Sequence, residues 1–66
     1  MNFHINKTKI FLRLDEYGIT IQMLSKLTNL SYLYLNRMFE GKTKKILPFL
    51  TLSKILHLPL EEIISY

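Results

Sequence analysis

Residues 20–41 read TIQMLSKLTNLSYLYLNRMFEG. Thr20 suits a helix N-cap, because its hydroxyl can accept a bond from a free N–H of the first turn. Leu24 and Leu27 then point one way, with Ile21 one turn earlier on a nearby face. Asn29 follows, and asparagine is the non-glycine residue best suited to a left-handed turn position. Ser31 is a second N-cap. Beyond it Leu35, Met38 and Phe39 recur at helical spacing as a buried face. Gly41 ends the run. The spacing predicts a helix over 21–27, a turn around Asn29 and a second helix over 31–40.

Working outward, the pattern stays helical. Upstream, Asn6 or Thr8 caps a helix over 7–17, with Ile10, Phe11, Leu14 and Tyr17 on its apolar face. Gly18 supplies a left-handed residue to end it. Phe3 and Ile5 are the sole hint of period-two alternation. Downstream, Lys42-Thr43-Lys44-Lys45 reads as a basic loop. Pro48 suits the first turn of a helix over 48–56, with Phe49, Leu52, Ile55 and Leu56 inward and His57 at its end. Pro59 opens a last helix over 59–65. It carries Leu60, Ile63 and Ile64 as apolar residues, and Glu61 and Glu62 in the turn where the helix dipole favours negative charge. The expected class is all-α: one compact five-helix domain over 1–66, without repeat or linker.

Composition bounds the function. The chain has 66 residues, a formal net charge of +4 and no cysteine. A domain this short buries only about 60% of its unfolded surface, so helix packing or a partner subunit must stabilise it. The positive balance favours a polyanionic partner. No stretch reaches the roughly 18 apolar residues of a membrane span, and the N-terminus lacks a signal-peptide pattern, so the expected location is cytoplasmic. His4 and His57 stand apart with no metal-ligand spacing, which leaves no metal or cofactor site. Asp15 and Glu16 lie on different helix faces, no serine has an identifiable base, and no glycine-rich phosphate loop is present. An enzyme is not expected.

The 20–41 stretch resembles the helix-turn-helix of the phage repressor and Cro family, and the likeness extends over about residues 6–64. Leu24, Leu30, Leu35 and Met38 stand where that family places core residues. Ser25 stands at its small helix-contact position, and Thr20 and Ser31 match its two caps. Asn29 replaces a usual glycine, Ile21 takes the place of a phosphate-touching glutamine with Gln22 one residue late, Phe39 takes a common glutamate position, and His57 replaces a glycine. The resemblance implies a lambda-repressor-like fold. It also implies a transcriptional regulator, a small repressor that binds a near-palindromic operator in double-stranded DNA as a homodimer.

It further implies a reader helix whose outward residues Tyr32, Leu33, Asn36 and Arg37 meet DNA. A helix fits the major groove, where an arginine can bind guanine bidentately and an asparagine can bind adenine. That gives Arg37 and Asn36 base-reading roles and sets Leu33 against a thymine methyl. Thr20, Gln22 and Ser31 are then further DNA contacts, and Tyr32 reaches a phosphate or stacks against the sugar edge. Lys42, Lys44 and Lys45 follow the reader and suit phosphate clamping. Ile64 and Tyr66 are the expected dimer contacts, with Phe3 and Ile5 as a second candidate pair, and no separate dimerisation domain is expected. The same residues support an alternative: an apolar Tyr32-Leu33-Tyr34 face on such a domain can grip a protein partner, as an inhibitor or anti-repressor does.

Overall fold

The computed structural model describes residues 3–43 and 45–65. The chain runs β1 (His4–Ile5), α1 (Lys7–Tyr17), α2 (Ile21–Thr28), α3 (Tyr32–Phe39), α4 (Leu47–Leu56), α5 (Leu60–Ile63) and β2 (Ile64–Ser65). The class is all-α, and the first four helices fall within a residue or two of the expected bounds.

Local chemistry sets the helix starts. The Asn6 side-chain oxygen accepts the Lys9 N–H at 3.2 Å, so Asn6 rather than Thr8 caps α1. The Thr20 hydroxyl accepts the Met23 N–H at 3.1 Å, and the Ser31 hydroxyl accepts the Tyr34 N–H at 3.0 Å. Each such cap contributes about 1 kcal/mol. In α4, which has no side-chain cap bond, Pro48 lies in the first turn where a missing N–H costs nothing. The helix ends are set by left-handed residues. Gly18 ends α1, and Asn29 and His57 end α2 and α4 with φ of 60° and 54°.

The core draws on every helix. Ile10, Leu14, Leu24, Leu35, Met38, Phe39, Phe49, Leu52, Leu56, Leu58, Ile63 and Ile64 are buried. Helix α4 lies against α1, α2 and α5, whereas the principal packing partner of α3 is α2. Phe49 is fully buried and meets Phe3 edge-on at 5.4 Å, while Phe39 meets Phe11 in the same way at 5.3 Å. Helix α3 is thus held chiefly by α2 and by its own buried side, with Phe11 of α1 against Phe39.

Three expected core residues lie outside. Leu27 is 56% exposed. At about 100° per residue, Ile21, Leu24, Ser25 and Thr28 share the inward arc of α2, and Leu27 falls about 110° from its middle. Phe11 and Tyr17 are 42% exposed each, because only Ile10 and Leu14 of α1 point fully inward.

The last helix is also shorter than expected. It stops at Ile63, since Ile64 turns to extended backbone with φ −129° and ψ 155°. Ile64 and Ser65 pair antiparallel with Ile5 and His4, and the Asn6 N–H donates to the Ile63 carbonyl at 2.7 Å. The hint at Phe3 and Ile5 is thus one side of a two-stranded ribbon, and β-branched Ile5 and Ile64 suit it.

A second local motif escaped the sequence reading, which saw no repeat. Leu24-Ser25-Lys26 and Leu52-Ser53-Lys54 each lead to a left-handed residue and then a leucine, Leu30 or Leu58. In both places the serine hydroxyl donates to the carbonyl of that leucine. The bond spans five residues and closes the helix end over its own turn.

Candidate nucleic-acid interface

The unit formed by α2, residues 29–31 and α3 is a helix-turn-helix held by its own side chains. Ser25 donates to the Leu30 carbonyl. The Thr28 hydroxyl donates to the Leu24 carbonyl at 2.8 Å and accepts the Leu30 N–H at 3.2 Å. Ser25 thus has a polar task as well as the small size that lets the two helices approach. Asn29 accepts the left-handed conformation that the reversal needs.

Helical geometry divides what α3 presents. Leu35, Met38 and Phe39 are buried. Taking Leu35 as the inward direction, Leu33 and Arg37 lie nearly opposite, at about 160° on either side. Tyr32 and Asn36 flank Leu33 on one side, and Tyr34 flanks Arg37 on the other. Leu33 is 68% exposed and Tyr32 49%, while Asn36 and Tyr34 are half-buried. Of the expected reader residues, Leu33, Asn36 and Arg37 lie in the outward half of α3, whereas Tyr32, about 60° from Leu35, is exposed at the edge of the inner half.

On the Arg37 shoulder lies a notch of about 290 Å³, lined by Tyr34, Arg37, Lys42, Thr43 and Lys45. The loop is returned to the helix by Gly41 and Lys42, whose N–H groups donate to the Met38 and Arg37 carbonyls at 3.0 and 2.9 Å. Lys42 also pairs with Glu40 at 3.1 Å. Arg37 and Lys45 pair with no carboxylate among the described residues. The Thr43 hydroxyl is buried and has no hydrogen-bond partner among them. An unpaired buried hydroxyl costs about 1–3 kcal/mol.

The other expected contacts lie apart from this notch. Thr20 and Gln22 are exposed at the start of α2, and Ser31 is exposed at the start of α3. Lys44 and Tyr66 lie outside the described residues. Ile64 is only 4% exposed and belongs to the chain's own core, so its side chain is not available to a second copy in the way the sequence suggested. Ile5, of the second candidate pair, is half-buried against that core, as is Phe3.

Sequence reasoning missed Tyr34 and Thr43 as notch residues, because side and depth depend on how the loop folds back. It also missed Arg13. The Arg13 guanidinium donates to the Leu56 carbonyl at 2.9 Å and lies over the Tyr17 ring, 5.4 Å from its centre. It places a cation at the end of α4, where the helix dipole favours one. Its contacts with Glu16 and Tyr17 are local, but its reach to the Leu56 carbonyl leaves no sequence signal.

Among the described residues, no helix is long and apolar enough to cross a membrane, and no three His, Cys, Asp or Glu side chains gather as metal ligands. No protein-family model matches the chain, and no curated protein matches it.

Proposed function

We propose that the chain is a DNA-binding transcriptional regulator that uses α3 as a reader in the major groove. The observation that carries this is the juxtaposition on α3. Tyr32, Leu33 and Asn36 on one shoulder of α3 stand beside a notch that carries Arg37, Lys42 and Lys45, on a helix braced mainly by α2. A row that meets base edges needs backbone contacts beside it to fix register, and cations next to a groove-sized helix suit that division. The net charge of +4 agrees.

The finer reading follows from the same physics. One short helix touches few bases, so operator-grade affinity calls for two copies spaced one DNA turn apart. We therefore propose a dimer on a near-palindromic operator, acting as a small cytoplasmic repressor. Its dimer contacts must use surface other than the Ile64 side chain. The reading needs no cofactor and no catalytic residue.

A second reading has its own support. Tyr32 and Leu33 are large, apolar and exposed, and such a face also suits a protein partner. The two readings differ in salt dependence. Selection from a random duplex pool, followed by a salt titration of the winning duplex, tests them. The DNA reading expects enrichment of a near-palindrome and a steep fall of affinity with salt. A pool that yields no enriched sequence, with weak binding to every duplex, would overturn it in favour of a protein partner.

A further inference from the structure

We propose that the notch beside α3 is a site for one phosphate group, and that Arg37 belongs to it as an anchor rather than as a reader of bases. The resemblance seen in the sequence gives both residues base-reading roles, Arg37 on guanine and Asn36 on adenine. Arg37 and Asn36 leave the helix about 100° apart on either side of Leu33, Arg37 about 40° and Asn36 about 60° from it, so that Asn36 leans toward Tyr32 and Arg37 toward Tyr34. Arg37 then lines the same concavity as Lys42, Thr43 and Lys45.

The chemistry of that concavity is specific. Arg37 brings a planar fork of donors, which matches two oxygens of a phosphate. Lys45 adds a cation that no described carboxylate neutralises. Lys42 adds a second, shared with Glu40. Thr43 adds a hydroxyl that lacks any partner among the described residues. A rotation about its Cα–Cβ bond would turn that hydroxyl toward the concavity, where it can donate a hydrogen bond to a phosphate oxygen. The group bound is a phosphate with at least two non-bridging oxygens. Its source is either a phosphodiester of duplex DNA or a free phosphate monoester, and the phosphate chemistry is the same for both. Only the first source rests on the function proposed above.

The test is an NMR titration of the full chain with inorganic phosphate and, separately, with a short duplex of arbitrary sequence. It reads the Thr43 amide and the Arg37 side-chain Nε–H. Saturable shifts at both signals with phosphate are expected, and the duplex should displace the phosphate. Thr43→Val should weaken binding about tenfold, the scale of a hydrogen bond to a charged group. Its melting temperature should be no lower than that of the parent, since no bond is lost. A lower melting temperature with unchanged binding would make the hydroxyl structural and overturn the site.

The two arms separate the sources. Saturation by phosphate without any duplex effect leaves the site standing as one for a free phosphate, while the DNA reading falls. Duplex shifts at Thr43 and Arg37 without saturation by free phosphate support the site as one for a phosphodiester. Duplex shifts at Tyr32 and Leu33 alone, with Thr43 and Arg37 unmoved, would leave the DNA reading and overturn this one. Small unsaturable shifts at every lysine-bearing segment would also overturn it.

Discussion

The turn between α2 and α3 and the turn between α4 and α5 use the same device to different ends. Both run from Leu-Ser-Lys through a left-handed residue to a leucine whose carbonyl accepts the serine hydroxyl. After the first turn, Ser31 caps an eight-residue helix whose outer face is exposed. After the second, Pro59 opens a four-residue helix that dives back into the core through Ile63 and Ile64. The bracing differs in the same sense. Thr28 closes the first turn from within, through bonds to Leu24 and Leu30. The side chain of its counterpart Leu56 has no polar atom and is fully buried, and Arg13 of α1 satisfies the Leu56 carbonyl from across the fold. A turn that satisfies its own backbone groups can hold a helix out for a partner. A turn braced by the rest of the domain is structural.

The largest effect that separates the two turns belongs to the buried one. Leu56→Ala should destabilise the domain by about 2–5 kcal/mol, the range for a truncated core leucine. Thr28→Ala should cost only about 1–2 kcal/mol, through the bonds it loses. Urea denaturation of both variants checks this, and a costlier Thr28→Ala would break the contrast.

A middling effect is expected from the brace across the fold. Arg13→Ala should cost about 1–2 kcal/mol by freeing the Leu56 carbonyl in a part-exposed setting. It should leave duplex affinity per folded molecule unchanged. An affinity loss beyond the unfolded fraction would tie the second turn to the binding surface.

The smallest effect concerns the left-handed residues. Glycine bears no steric penalty there, so His57→Gly should raise stability by up to about 1 kcal/mol, reduced by the lost contact with Tyr17. Asn29→Gly should change it by less than about 0.5 kcal/mol, since asparagine tolerates that conformation. Thermal melts of the pair that rank the other way would remove His57 strain from the account.

The helices were legible because their caps and stops are local. Asn6, Thr20, Ser31, Gly18 and Asn29 act within a few residues of themselves. The end of α5 was not, because Glu61, Glu62 and Ile63 read as helix and the pairing that draws Ile64 into a strand comes from Ile5, at the other end of the chain. That distant pairing also puts Ile64 inside, where the sequence offered it to a second copy. Leu33, Asn36 and Arg37 followed as outward residues of α3 from its buried ones by periodicity. The notch did not, since periodicity gives no sign of which way Lys42, Thr43 and Lys45 fold.

On the proposed reading α3, and not its structural counterpart α5, meets the bases. Binding isotherms of the parent, Asn36→Ala and Glu61→Gln test it directly, on the selected duplex and on a scrambled one. The parent should prefer its selected duplex. Asn36→Ala should lose about tenfold or more of that preference, the scale of one bidentate base contact, while Glu61→Gln keeps it. Equal preference in the parent and Asn36→Ala, or an equal loss in both variants, would contradict the account.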